Sequence, residues 1–314
     1  TNQLANGILQ KDFDELLLSE EKPFFNRALR GRYPPASSIK PAIAMYGIEE
    51  GLIDWNFSIF NEGFFTLPED GRIYRDWKEG GHGDTNLFKA ITQSSNTYFF
   101  DLAYRSDINQ LNKHLSSLGF GGKTCIDCFE EDKVFVPEPS WKMNKHNFGW
   151  FKGDTVNMGV GQGYLVSTPI QLAKYAYIMA NKGKFFDLSL KKDLVKSEKS
   201  IEFNKFSNDD WFKLHESMVN VIEGNTGTAR RLRERKNYIV AAKTGTPQLV
   251  SGDNREQYSE TRLDDSLRDH ALIIAFGPMP NPRYAVSVVV ENGESGGSVA
   301  GPVAISVLNS LIQE

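Results

Sequence analysis

Three short polar motifs carry the chemistry that this sequence can offer. They are Ser37-x-x-Lys40, Ser94-x-Asn96 and the run Lys243-Thr244-Gly245-Thr246. Hydroxyl, amine and amide groups in this combination suit nucleophilic acyl transfer, in which a base activates a hydroxyl and N–H donors stabilise an oxyanion. A serine three residues before a lysine arises by chance about once in a chain this long, so the surroundings of each motif decide its value.

The first motif lies at the start of a predicted helix. Pro41 has no N–H and is tolerated only in a first turn, so the helix should begin near Ser37 or Ser38. Backbone N–H groups at a helix start favour a developing oxyanion on a serine there. Lys40 follows one turn later on the same face, and burial that lowered its pKa would let its neutral amine act as the base for Ser37.

The second motif joins two predicted helical segments, 86–94 and 96–104. A polar cluster at a helix end is suited to substrate handling. The Ser94 hydroxyl can relay a proton, and the Asn96 amide can hold a substrate carbonyl.

The third motif is the most specific of the three and follows a predicted strand at 238–242. Thr244 and Thr246 share one face by the two-residue period of a strand, and Lys243 with these hydroxyls suits a carboxylate. Gly245 permits a ligand to approach the backbone, and the N–H of Thr246 is a candidate oxyanion donor.

The remaining pattern predicts helices packed on an antiparallel sheet. Strands at 270–276 and 284–290 are separated by Gly and Pro residues typical of a hairpin, and no β-α-β alternation is present. Thr168 and Pro169 predict a helix that ends at Gly183. Further helices are predicted at 207–222 and 302–312, and a mobile loop at 252–268.

Composition excludes several classes of protein. The chain has 314 residues with 36 basic and 40 acidic side chains, a formal charge of −4, so a role in nucleic-acid binding is not expected. No apolar run approaches the roughly 18–20 residues that cross a bilayer. Because the first residues carry no start or cap signal, we expect residues 1–314 to be part of a longer protein, and any membrane anchor would then lie outside them.

The motifs and their order resemble the penicillin-binding proteins and serine β-lactamases. The resemblance extends to class B penicillin-binding proteins, and within that class to those of the rod-elongation system. Further matching stretches run in order along nearly the whole chain. They are Phe25-Asn26-Arg27-Ala28, Tyr33-Pro34-Pro35, Tyr74-Arg75-Asp76-Trp77, Gly153-Asp154-Thr155, Gly161-Gln162-Gly163-Tyr164, Thr168-Pro169-Ile170-Gln171 and Leu267-Arg268-Asp269-His270-Ala271.

The resemblance implies an α+β fold of the β-lactamase and transpeptidase type, with an antiparallel sheet flanked by helices and a helical lobe. It also implies a peptidoglycan D,D-transpeptidase, in which Ser37 attacks the D-Ala-D-Ala carbonyl of a stem peptide and Lys40 is the general base. Ser94 and Asn96 would shuttle the proton and orient the substrate, and Lys243 would tune the charge of the site. The N–H groups of Ser37 and Thr246 would form the oxyanion hole. Thr244, Gly245 and Thr246 would bind the terminal carboxylate, and β-lactams would acylate Ser37.

The resemblance further implies the surroundings in which the domain works. The expected location is the periplasmic face of the bacterial inner membrane. A glycan-polymerising membrane enzyme and other elongation-complex proteins are the expected partners of the full-length protein. Two rival functions remain open: hydrolysis, as in a serine β-lactamase or D,D-carboxypeptidase, and a non-enzymatic β-lactam sensor domain.

Neither a cofactor nor a metal is predicted. Some relatives hold a metal beside the S-x-N motif; Asp76 and His82 could contribute here, but Ser95 stands where a thiol would be needed.

Cys125 and Cys128 form a C-x-x-C that is half of a zinc site and is better explained by a local disulfide or two free thiols. The glycine-rich run 159–163 lacks the Lys-Ser/Thr of a phosphate loop and predicts a turn beside the site.

Overall fold

A computed structural model describes residue 4 and residues 6–192, 194, 197–248 and 268–312. The predicted loop at 252–268 lies outside these residues, except for Arg268. Within the described part of the chain, no helix is both long and apolar enough to cross a membrane.

The described residues form α-helices and short antiparallel strands. The α-helices are α1 (Gln10–Leu18), α2 (Arg27–Arg30), α3 (Lys40–Glu49), α4 (Leu87–Thr92), α5 (Asn96–Arg105), α6 (Ile108–Ser117), α7 (Pro139–His146), α8 (Lys152–Gly159), α9 (Pro169–Ala180), α10 (Asn208–Glu223) and α11 (Gly301–Ile312). The strands are β1 (Ser58–Asn61), β2 (Phe64–Thr66), β3 (Ile73–Arg75), β4 (Gly83–Asn86), β5 (Lys184–Phe185), β6 (Lys199–Ser200), β7 (Ala241–Gly245), β8 (Ala271–Gly277) and β9 (Tyr284–Val290). Turns of 3₁₀-helix cover Ala36–Ile39 and Arg230–Arg235, and a π-helical turn covers Gly296–Ala300.

The largest sheet in the described residues is antiparallel, with strand order β7-β8-β9. Strands β8 and β9 form the predicted hairpin, so that prediction and the α+β class are confirmed. The strand predicted at 238–242 was placed too early. Gly245 pairs with Leu272, so the ladder continues through the Lys-Thr-Gly motif and holds it inside β7.

Strand β8 separates two hydrophobic cores. Because successive side chains of a strand point to opposite faces, alternate residues of β8 enter different cores. Leu272, Ile274 and Phe276 belong to the large core of the helical lobe. Ala271, Ile273 and Ala275 pack in a second core with residues of α11. Strand β8, the middle strand of the sheet, is therefore buried on both faces.

Helix α3 runs through the large core and is buried from Lys40 to Ile48. A helix that is apolar on all sides belongs inside a protein, and this location forces Lys40 into the interior. The helices predicted after it are present: Asn86 caps α4, and Ser95 caps α5 by accepting from the N–H of Tyr98.

Helix α9 begins as predicted, with Thr168 as its N-cap and Pro169 as its first residue, but it ends at Ala180, before Gly183. The Thr168 hydroxyl accepts from the N–H of Gln171, and the Gln171 amide oxygen accepts from the N–H of Thr168. The preceding residue, Ser167, pairs with Tyr33 in an isolated bridge. This capping box therefore anchors the segment that leads to Ser37.

Cys125 and Cys128 form a disulfide, which decides between the two predicted states. Asp127 lies near both sulfur atoms. Because the thiols are oxidised, they cannot serve as thiolate ligands for a metal.

Removal of the capping box should destabilise the domain. We expect Thr168→Ala to lower the free energy of unfolding by about 1 kcal/mol, because a buried helix N–H loses its acceptor. Urea denaturation measures this change. Thr66→Ala, on exposed strand β2, is the control and should change stability by less than about 0.5 kcal/mol; equal effects of the two substitutions would contradict the capping role.

Candidate active site

The predicted polar motifs meet where α3, the turn before α5 and strand β7 come together. Lys40 Nζ donates to the Ser94 carbonyl at 2.8 Å and to Asn96 Oδ1 at 2.7 Å. Lys243 Nζ donates to Ser94 Oγ at 2.8 Å. One residue or two from each of the three motifs therefore join in a single hydrogen-bonded group of Lys40, Ser94, Asn96 and Lys243.

Ser37 lies on the 3₁₀ turn that precedes α3, and its side chain is partly exposed between the buried residues Ala36 and Ser38. The Ser38 hydroxyl is buried and donates to the Pro35 carbonyl at 2.7 Å. Of the two adjacent serines, Ser37 is thus the one open to a ligand. Lys40 follows it by one turn and begins the α-helix.

Burial controls the charge of both lysines. It lowers the pKa of Lys40 to about 7, partly opposed by the negative charge of Asp76. Burial, together with the charge of Lys40, holds the pKa of Lys243 well below its usual value. Two neighbouring ammonium groups in a low-dielectric interior repel each other. The pair therefore readily gives up a proton near neutral pH.

The hydrogen bonds of Lys40 suit a neutral amine. Its two close acceptors, the Ser94 carbonyl and Asn96 Oδ1, use the two N–H groups that a neutral amine retains. A third and longer contact joins Lys40 Nζ to Ser94 Oγ at 3.4 Å. The nitrogen lone pair is then available to accept a proton, either from Ser94 Oγ or from a hydroxyl on the turn that carries Ser37. Lys40 is oriented by hydrogen bonds that remain possible when it is the base.

The threonines of the third motif occupy different environments. Thr244 Oγ1 lies 2.7 Å from Thr228 Oγ1, whereas Lys243 reaches Ser94, so these adjacent side chains leave opposite faces of β7. Thr246 follows the end of the strand and is partly exposed. Thr228 was missed by sequence reasoning, because only tertiary packing brings it to β7.

Two glycines allow the backbone segments of the site to approach closely. The Ala36 N–H donates to the Gly161 carbonyl at 2.8 Å, and a Cβ on Gly161 would lie 2.2 Å from the Ala36 carbonyl oxygen. A Cβ on Gly245 would lie 3.1 Å from the Pro35 carbonyl oxygen. The glycine-rich run 159–163 is therefore a turn beside the segment that carries Ser37, as predicted. Gln162, which sequence reasoning gave no role, approaches the Thr246 carbonyl at 3.5 Å.

Asp76 and His82, considered above as metal ligands, lie next to the S-x-N turn. Asp76 Oδ1 is 3.5 Å from His82 Nε2. Asn61 Nδ2 and Ser95 Oγ donate to Asp76 Oδ2, at 2.8 Å and 3.2 Å. The group offers one carboxylate and one imidazole, with an amide and a hydroxyl beside them. The Asp76 carboxylate already accepts hydrogen bonds from these groups, and it would have to give them up to bind a metal.

Comparison with known proteins is consistent with this geometry. Residues 4–309 match the family described as the penicillin-binding protein transpeptidase domain. Two relatives are named peptidoglycan D,D-transpeptidase MrdA. The protein from Haemophilus influenzae is 37% identical over 100% of this chain and 49% of its own length. The one from Acinetobacter baumannii is 39% identical over 95% of this chain and 45% of its own length.

Solved structures show the same fold. PBP2 from Pseudomonas aeruginosa, in complex with WCK 5153, superposes with a TM-score of 0.87 at 36% identity, covering 98% of this chain and 67% of that one. PBP2 from Helicobacter pylori, in complex with MreC, gives a TM-score of 0.83 at 30% identity, covering 97% of this chain and 55% of that one.

The chain spans about half the length of the curated relatives that it matches. The family match covers nearly every residue of this chain. The names of the relatives, MrdA and PBP2, confirm the expected rod-elongation branch. The chain belongs to the penicillin-binding protein transpeptidase domain family, in its PBP2/MrdA branch.

Proposed function

We propose that this domain is a peptidoglycan D,D-transpeptidase that works through an acyl-enzyme on Ser37. The observation that carries the proposal is the buried network of Lys40, Ser94, Asn96 and Lys243 beside a partly exposed serine. Such a network supplies a base and a proton relay, and the adjacent 3₁₀ turn carries the serine that would be the nucleophile. These are the parts that acyl transfer requires.

In the first half-reaction, Ser37 Oγ attacks the carbonyl carbon of the penultimate D-alanine while its proton passes to neutral Lys40. The N–H groups of Ser37 and Thr246 stabilise the oxyanion. Collapse breaks the peptide C–N bond, and the proton reaches the leaving nitrogen through Ser94, which hydrogen-bonds with Lys243. Terminal D-alanine is released, and an ester to Ser37 remains.

In the second half-reaction, the amine of a neighbouring stem peptide attacks the ester. Lys40 and Ser94 take the amine proton and return a proton to Ser37 Oγ, and the new amide bond cross-links the two stems. Asn96 orients the acyl chain. Its Oδ1 is engaged by Lys40, so its Nδ2 is the group that donates to a substrate carbonyl.

The terminal carboxylate of the donor stem binds beside the end of β7. Thr246, which is partly exposed, supplies a hydroxyl there, and Lys243 adds positive charge when it is protonated. Thr244 contributes through its hydroxyl pair with Thr228. Gly245 keeps this edge of the strand close to the Ser37 turn. A β-lactam carries a carboxylate and a strained amide, so it occupies the same positions and acylates Ser37.

The cellular setting is also part of the proposal. Peptidoglycan lies outside the cytoplasm, and the Cys125–Cys128 disulfide fits an oxidising compartment, which supports action at the periplasmic face of the inner membrane. A PBP2 relative has been solved with MreC. By analogy, we propose that the full-length protein binds elongation-complex proteins, including a glycan-polymerising membrane enzyme.

Penicillin labelling tests the nucleophile. Incubation with a penicillin should give a single adduct of one drug per protein by intact mass, and Ser37→Ala should abolish it, because the acylated oxygen is gone. Ser38→Ala is the matched control. It removes the adjacent hydroxyl, which donates to Pro35, and should retain the adduct. An adduct on Ser37→Ala would contradict the assignment.

The same experiment separates transfer from hydrolysis. We expect the adduct to persist for hours. An adduct that disappears while drug is consumed would mean that water reaches the ester, as in a β-lactamase or carboxypeptidase.

A sensor domain is separated by substrate turnover. We expect a D-Ala-D-Ala stem peptide with an added acceptor amine to release D-alanine and form the cross-linked product, measured by mass spectrometry. The Ser37→Ala variant is the control. Penicillin acylation without D-alanine release would favour the sensor.

The low pKa of Lys40 predicts a pH dependence of acylation. Lys40 accepts the Ser37 proton only when neutral, and its pKa is about 7. The acylation rate constant should therefore fall about tenfold for each pH unit below this value and level off above it. Stopped-flow acylation with a chromogenic β-lactam measures the profile, and circular dichroism at each pH checks the fold. A flat profile across neutrality would contradict Lys40 as the base.

A further inference from the structure

A buried carboxylate lies beneath the S-x-N turn and is not explained by the acyl-transfer steps. Asp76 is 9% exposed, and its Oδ2 atom accepts two backbone N–H groups, from Asn96 at 2.9 Å and Thr97 at 3.0 Å. The same atom accepts from Ser95 Oγ at 3.2 Å and Asn61 Nδ2 at 2.8 Å. One oxygen thus collects four donors at the start of α5.

The next residue holds the other end of the same turn. Trp77 Nε1 donates to the Ser94 carbonyl at 3.1 Å, the carbonyl that also accepts from Lys40 Nζ. The Trp77 N–H donates to Asp76 Oδ1 at 2.8 Å, which ties the two residues together. The Asp76-Trp77 pair therefore binds the turn both before and after Ser95.

The turn needs such support because its backbone is strained. Ser94 has a φ of +59°, in the left-handed region that residues with a side chain rarely adopt. Strained residues persist at active sites only when their surroundings over-determine them. In this conformation the Ser94 carbonyl accepts from Lys40, and the Ser94 hydroxyl lies 2.8 Å from Lys243 Nζ and 3.4 Å from Lys40 Nζ.

We propose that the Asp76-Trp77 pair positions the Ser94–Asn96 turn for the acylation step, and that both residues are needed to hold it in the geometry that serves both lysines. The inference rests on the proposed acyl-enzyme function of Ser37. Asp76 holds the turn through the backbone N–H groups of Asn96 and Thr97. Its negative charge also raises the pKa of Lys40, so acylation is compared well above neutral pH, where Lys40 is neutral with or without that charge.

A simple helix cap is the alternative role, and the chain contains a matched example. Asp107 caps α6 by accepting from the N–H groups of Asn109 at 2.9 Å and Gln110 at 3.0 Å. Its carboxylate bonds are exposed and make no contact with the catalytic group. Asp107→Asn therefore removes the charge of a helix cap without altering the Ser94 turn.

The test compares Asp76→Asn with Asp107→Asn in penicillin acylation by stopped flow. Asn keeps the shape of Asp76, but it replaces one oxygen with an NH₂ group and leaves a donor without its acceptor. We expect Asp76→Asn to lower the limiting acylation rate constant by about 10- to 100-fold, because small misplacements of reacting groups have effects of this size. The half-saturating penicillin concentration should change by less than about threefold. Asp107→Asn should leave both values unchanged.

Two results would overturn the inference. One is an unchanged limiting rate in Asp76→Asn; the other is an equal loss in Asp107→Asn at matched melting temperature, which would mean general destabilisation. Failure of the unmodified domain to acylate would instead reject the proposed function itself.

If Asp76→Asn does not fold, Trp77→Phe tests the same turn from its exposed side. Trp77 is 56% exposed, so the domain should tolerate the change. Loss of the indole donor to the Ser94 carbonyl should lower the limiting rate by about three- to tenfold. An unchanged rate in this variant would also overturn the inference.

Discussion

The burial of two lysine ammonium groups around one serine hydroxyl is the constraint on which the rest of this structure depends. Each cation loses its hydration, and each raises the energy of the other. Ser94 lies between them and bonds with both. The large cores on either side of the sheet provide the stability that offsets this arrangement. As a result, Lys40 loses its proton near neutral pH, which is the property that a general base needs.

The fold meets this constraint with elements that are rigid for separate reasons. Helix α3 is fixed because it is apolar on all sides, and so Lys40 cannot leave the interior. Strand β7 is fixed by its ladder with β8, and the two-residue period directs Lys243 toward the helical lobe. The turn at Ser94 has no such regular support, and it relies on side-chain hydrogen bonds from the segment that contains Asp76.

Local chemistry explains what could be predicted from the sequence. Pro41 located the start of the helix, Thr168 and Pro169 located the capping box, and the β-branched run at 284–290 matched its strand. What was missed depends on tertiary contacts. The ladder with β8 extended β7 through the Lys-Thr-Gly motif, and packing alone paired Thr228 with Thr244. The short strands β1 to β4 were also not predicted, since each has only three or four residues and little alternation.

The complete burial of α3 also limits how this domain can change over generations of drug selection. Substitutions between Lys40 and Ile48 disturb a close-packed interior, and those in the glycine turn beside Ala36 meet the backbone directly. Under the proposed function, substitutions that preserve turnover are therefore expected at the rim of the site, where residues such as Gln162 and Thr246 are partly exposed. Under the proposed function, the packing around Ser37 thus leaves few positions at which a substitution could weaken inhibitor binding and preserve turnover.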